Sequence, residues 1–387
     1  MAQQVSPENF IHISYTEPGW KADPQKLLDA ARRWRSPDSM MLPRFDVDTF
    51  QRTHGLTSTV ENAIEEATPQ QVLTRMTAPE FLNGPIEHPW AEDGTILSKI
   101  RDAMEHGRPL ELVLPSFAGR PHNPAAHRRV APDLGELYAL QLLKNISDAV
   151  TRLHAPGLVI TLLLDGRAHR DFYGYSDHEG MPYASNLWRQ IDLLGARGQI
   201  QIVELHDLMS ARASELSDID ERVRSSISEK WTDKSFPQRA HLIRALRQGT
   251  ETTAISSALI EMYKSGDSFP ISVQDFADQA ELIVQERAEH TAFEYAVLMT
   301  KLRELDVIGR AFPQAIRGTV HPKPGQYAPI LKNVRTIISP WHGVAILTAS
   351  GEIVTEYESM IFQEFERFRA VYIYGDEAPF YYEELTE

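Results

Sequence analysis

The middle of the chain alternates short apolar runs with helical patterns. LELVLPSF (110–117), LVITLLL (158–164) and QIQIVEL (199–205) read as strands. Between the first two, Leu134, Leu137, Leu140, Leu143, Ile146, Val150 and Leu153 recur at three- and four-residue steps, which predicts an amphipathic helix. Asp133 and Glu136 form a capping pair at its start, and Pro156-Gly157 ends it. Further helices are expected over 95–107 and 182–194. Strand, helix, strand, helix, strand at this spacing predicts a doubly wound α/β sheet with right-handed crossovers. LVITLLL, apolar at every position but one, is its central strand, covered on both faces.

Around this centre the pattern changes. Residues 1–92 mix short helical patterns (26–35, 68–76) with Pro and Gly and read as an N-terminal helical lead-in. From 211 to about 306 the chain turns helical and highly charged. From Ile316 strand-like runs return in IRGTV, VRTIIS and VAILTA. No internal repeat or low-complexity linker divides the chain. The expected organisation is the lead-in and one compact Rossmann-like unit, 93–387, carrying a helical insertion and a strand-rich C-terminal segment.

Composition narrows the function. Of 387 residues, 42% are hydrophobic and 24% charged, as in globular proteins. The formal charge of −15 argues against nucleic acid or an anionic membrane as the main partner, because both recruit basic surfaces. The absence of cysteine excludes disulfides, thiolate nucleophiles, Cys-ligated zinc and iron–sulfur clusters. The first twenty residues lack a basic segment followed by an apolar one, and no run approaches the roughly 18 apolar residues of a membrane span. A soluble, cytoplasmic protein is expected.

In open α/β sheets ligands bind outside the carboxyl ends of the strands. The loop after the first strand holds Arg120, His122, Asn123, His127, Arg128 and Arg129. The second strand runs into Asp165, Gly166, Arg167, His169, Arg170 and Asp171. Here the arginines suit a phosphate or carboxylate, and Asp165 and His169 suit proton transfer. Glu204, His206 and Asp207 close the third strand as supporting residues. A further polar cluster, RGTVHPKPGQYAPILK (317–332), holds Arg317, His321, Lys323 and Lys332, and Trp341-His342 follows a proline. Each cluster also has a plain alternative: a solvated loop, a turn, or an arginine satisfying a nearby carboxylate. The single glycine of the first loop makes neither a P-loop nor a dinucleotide fingerprint. HRD (169–171) lacks the Gly-rich loop and DFG of a kinase, and its α/β setting does not suit an iron oxygenase.

In order, LPSF, the basic loop, PDLGE, LLDGRAHRD, VHPK and PWHGVA resemble the isonitrile (isocyanide) synthase family, also called the pyoverdine/dityrosine biosynthesis family. The resemblance covers about 95–210 and 312–350. It implies a Rossmann-like enzyme that joins the α-amine of an amino acid, usually tyrosine or tryptophan, to a carbon of ribulose 5-phosphate, leaving an isonitrile. It implies no metal or organic cofactor, and a pathway oxygenase acting downstream. On it, Asp165, His169, His321, His342 and Lys323 become candidates for catalysis. Arg120, His122, Arg128, Arg129, Arg167, Arg170 and Arg317 become candidates for holding substrate and phosphate. The chain departs from the expected family pattern at Arg120-Pro121-His122 and at Gly343, where asparagine is expected after Trp-His. Two other functions remain open on the residues: a different transferase or lyase joining an amino acid and a phosphosugar, and a non-catalytic α/β protein that binds a small anion.

Overall fold

A computed structural model describes residues 38–56, 67–83, 94–117, 131–169, 177–232, 289–290, 292–320, 325–333, 338–356, 361, 364–373 and 378–386. Its centre is a four-stranded parallel sheet built from β2 (Leu110–Pro115), β3 (Leu158–Leu164), β4 (Ile200–Glu204) and β5 (Ile316–Arg317), in the order β4-β3-β2-β5. The first three strands are those read from the apolar runs. The chain steps from β2 to β3 to β4 in one direction, then returns to place β5 on the other side of β2. That reversal is the topological switch point of a doubly wound sheet.

Both faces of this sheet are covered, as the apolar run 158–164 predicted. Leu112, Leu114, Leu162 and Leu164 face one core, shared with α4 (Leu134–Thr151) and α5 (Asp177–Leu193). Val113 and Leu163 face the other. There they meet α6 (Leu205–Ser210), α8 (292–304) and α9 (Val307–Ala311). Within the expected helical insertion, α7 (Ala213–Thr232) packs Val223 and Ile227 against Ala296 and Val297 of α8. Arg224 clamps Glu294 beside that seam, with its two bonds at 2.7 and 2.8 Å.

A second sheet was not legible as such. β1 (Asp38–Leu42), β6 (Val344–Leu347), β7 (Ile353–Glu356), β8 (Phe368–Ile373) and β9 (Tyr381–Glu384) form a mixed sheet in the order β1-β8-β9-β6-β7. The segment read as a helical lead-in therefore also supplies a strand, which pairs in parallel with β8. It supplies α1 (Val47–Thr53) and α2 (Pro69–Met76) as well, and α2 packs on α3 (Thr95–Glu105). The predicted helix 26–35 and residues 334–337 of VRTIIS lie outside the described residues.

Helix α4 explains how the two sheets become one body. It packs on β3 of the first sheet and on β6 and β7 of the second. Its buried residues therefore surround it rather than forming one stripe. Within the second sheet, Gly343, just before β6, lies close to β7, where an added Cβ would stand 2.5 Å from the Glu356 backbone oxygen. Gly343→Ala is expected to destabilise the protein by about 1–3 kcal/mol, the cost of overpacking, and asparagine by more. Urea denaturation of the variants checks this, and an unchanged midpoint would contradict the packing.

Candidate active site

The site is built where β2, β3 and β4 end. Leu164 of β3 pairs in register with Glu204 of β4, so Asp165 and Glu204 stand one residue apart on neighbouring strands. The Asp165 carbonyl accepts the Ala168 N–H at 3.0 Å, which starts the 3-10 turn Gly166–His169. That turn packs on α6, whose first residue follows Glu204. Arg167 is thereby held between strand end and helix, with its side chain 19% exposed. Its Nη1 lies 3.9 Å from Oδ1 of Asp207, which is 68% exposed and so a weak partner.

Glu204 responds to this environment. Burial pushes its carboxyl up to about 7, and the Asp207 and Asp165 charges push the same way, while the Arg167 guanidinium opposes them. Tyr295 of α8 joins from the second core face: burial, then the charge of Asp165, raises its phenol. The strand ends thus combine the Glu204 carboxyl, raised toward neutral pH, with a forked cationic donor.

A second side of the site is aromatic. Phe117, two residues past β2, is fully buried at φ 55°, a left-handed conformation rare for an aromatic residue. Its ring centroid lies 4.9 Å from that of Trp341. Trp341 in turn meets the His342 ring edge-on at 6.0 Å. The Pro340–His342 turn is thus seated at the carboxyl end of β2, with Trp341 buried and His342 exposed.

PDLGE, at the start of α4, holds that turn in place. Asp133 is buried and accepts the Gly135 N–H at 2.7 Å and the Ala345 N–H at 2.9 Å. Glu136 returns a bond from the Asp133 N–H at 2.9 Å, completing the predicted capping pair, and accepts the Tyr183 hydroxyl at 3.2 Å. Gln190 of α5 donates to the Asp133 carbonyl at 2.8 Å. Gly135 lets Pro340 approach, since a Cβ there would lie 3.3 Å from the proline Cβ. This motif is a clamp joining α4, α5 and β6.

Of the residues expected from sequence, the structure brings Asp165 and Arg167 together and sets His342 at the neighbouring strand end. Arg317 has other company. Burial lowers its pKa while the charge of Asp306 raises it, and Lys99 is lowered by burial and then by the Arg317 charge. Lys332, near the end of the 317–332 cluster, is brought down to about 8 by burial. Arg120, His122, Arg128, Arg129, Arg170, His321 and Lys323 lie outside the described residues, and so does the side chain of His169. The flanks of the 321–324 segment are pinned: Thr319 donates to the Tyr327 carbonyl at 2.9 Å, and Asn83 to the Val320 carbonyl at 3.0 Å.

In the sequence Glu204 has only a supporting place, and Tyr295 has none. The cue for Glu204 was its position at the end of an apolar run. Tyr295 has no local cue. Among the described residues no group of three or more His, Asp or Glu is arranged to hold a metal. Among them, too, no helix is long and apolar enough to cross a membrane.

The pattern describing the pyoverdine/dityrosine biosynthesis protein family matches residues 100–367. The chain belongs to that family. An L-tyrosine isonitrile synthase of Pseudomonas aeruginosa is 26% identical over 256 residues, 65% of this chain and 74% of the relative. An L-tryptophan isonitrile synthase of Fischerella ambigua is 24% identical over 261 residues, 65% of this chain and 72% of the relative. The crystal structure of the PvcA protein from Pseudomonas aeruginosa superposes with a TM-score of 0.62 at 23% identity, covering 82% of this chain and 99% of that one. It shares the α/β fold. The family resemblance carried by LPSF, PDLGE, LLDGRAHRD and PWHGVA is borne out by the match.

Proposed function

We propose that this member of the family is an isonitrile synthase, condensing the α-amine of a tyrosine- or tryptophan-like amino acid with ribulose 5-phosphate. The observation that carries it is the Asp165, Arg167 and Glu204 group at the carboxyl ends of β3 and β4. Such a reaction needs an anion clamp and repeated proton transfer at neutral pH, and this group has the chemistry for both.

In this scheme the amine attacks the sugar ketone and loses water to give an imine. Successive proton transfers then eliminate phosphate and cleave carbon–carbon bonds. Arg167 holds an anionic group of a substrate, while Asp165 and Glu204 exchange protons with the reacting atoms. His342 serves from the edge of the site, with His169, His321 and Lys323 as further acid–base groups. Arg120, His122, Arg128, Arg129 and Arg170 are assigned to substrate and phosphate charge, whereas Arg317, beside Asp306 and Lys99, is left out of that set. The chemistry calls for no metal or organic cofactor. The enzyme would work in the cytoplasm, upstream of an oxygenase that consumes the isonitrile.

Incubating the purified protein with ribulose 5-phosphate and a panel of amino acids, followed by mass spectrometry, tests the assignment. An isonitrile from an aromatic amino acid is expected. An adduct of amino acid and sugar without an isonitrile would instead indicate a different transferase or lyase. No consumption of any amino acid would indicate a binding protein.

A further inference from the structure

We propose that Phe117 is a positioning residue whose ring, held at the end of β2 by a strained backbone, fixes the Trp341 indole and through it the orientation of the His342 imidazole. The proposal deepens the function above and rests on its assignment of His342 to the site.

The end of β2 is tied down as far as the residue before Phe117. The Ser116 N–H donates to the Leu163 carbonyl at 3.3 Å, and the Ser116 hydroxyl turns back to the Leu114 carbonyl at 3.2 Å. The change of direction therefore begins at Phe117, with φ 55°. In that region a Cβ crowds the backbone, whereas glycine takes the conformation without the cost. A strained residue persists only where its surroundings over-determine it. Glycine would lack the ring, so the ring is what the strained conformation keeps in place.

That ring is fully buried and meets Trp341, with centroids 4.9 Å apart and planes tilted by 36°. Trp341, itself buried, stands at 75° to the His342 imidazole, with centroids 6.0 Å apart. Tilted and edge-on contacts between rings favour a defined mutual orientation, beyond plain apolar contact. The backbone of the turn is fastened separately. The His342 N–H donates to the carbonyl of buried Ser339 at 2.9 Å, and Asp133 holds the Ala345 N–H at 2.9 Å. Those bonds place the His342 backbone and leave its side-chain torsions to its neighbours. His342 is exposed, so its imidazole has room on the solvent side. The indole edge limits that room, and the indole rests on Phe117.

Two measurements separate positioning from packing. The first reads His342 in ¹H–¹³C spectra of the full chain carrying ¹³C-labelled histidine, its signal identified by loss in His342→Gln. The indole ring displaces that signal. Phe117→Leu, which keeps apolar volume but no ring, should move it toward the position of a solvated histidine and leave the other histidine signals in place. The second is a double-mutant cycle on isonitrile formation. Phe117→Leu should lower kcat about tenfold with KM nearly unchanged, as for a misplaced catalytic group. In the His342→Gln background the same change should have no further effect on kcat.

Trp341→Phe keeps a ring against Phe117 but withdraws the indole from His342. It should give the same two results, and it serves where Phe117→Leu fails to fold. An unmoved His342 signal in either folded variant would overturn the proposal. So would a loss of kcat that multiplies with that of His342→Gln, because Phe117 would then act through packing alone. The spectra need no turnover, so failure to make an isonitrile would defeat the functional assignment while the histidine signal still decides this one.

Discussion

Arg167→Ala is expected to lower kcat/KM for isonitrile formation by about 10²- to 10³-fold. Truncating one member of a desolvated, charge-paired group costs on the order of 2–5 kcal/mol. The loss here is double: the substrate anion loses its forked donor, and Glu204 loses a charge that lowers its pKa. Glu204 would then hold its proton to still higher pH and release it less readily. Arg167→Lys should recover only part of the activity, since an ammonium keeps the charge but not the planar fork. If Arg167 merely satisfied Asp207, the effect would be small, because a 3.9 Å pair with an exposed carboxylate contributes little. Steady-state kinetics with both variants, alongside thermal denaturation to show that they fold, decides between the two.

The second large effect is on stability. Asp133→Ala removes the acceptor shared by the Gly135 and Ala345 amides, both in a buried setting. One loss uncaps α4, and the other leaves a β6 amide with no oxygen from Asp133. Together they should cost on the order of 3 kcal/mol. Asp133→Asn, keeping one oxygen, should cost about half as much. Because the same clamp seats Pro340–His342 beside Phe117, the alanine variant should also lose turnover before it unfolds. Urea denaturation combined with activity at sub-denaturing concentrations reads both effects. An unchanged midpoint would mean that α4 is held by apolar packing alone.

How much of this was legible in the sequence depended on whether the cause was local. β3 was readable residue for residue, because a central parallel strand buried on both faces leaves a continuous apolar run. The Asp133–Glu136 cap was readable because its partners are three residues apart. The second sheet was not, because β1 and β8 pair across more than three hundred residues and neither run signals the other. In the site, Asp165 and Arg167 stood out as charge following an interior strand. Glu204 did not, since its character comes from burial and from charges on neighbouring elements, which only the folded chain creates. Arg317 looked equivalent to the other arginines in sequence, yet its electrostatic neighbours are Lys99 and Asp306.

The most direct test of the proposed chemistry follows the carbon. With uniformly ¹³C-labelled ribulose 5-phosphate and unlabelled L-tyrosine or L-tryptophan, the isonitrile product should carry one labelled carbon per molecule, the former ketone carbon. A product with no label would mean that the isonitrile carbon comes from elsewhere. A product retaining several labelled carbons would mean that the sugar is transferred without carbon–carbon cleavage, which contradicts an isonitrile synthase.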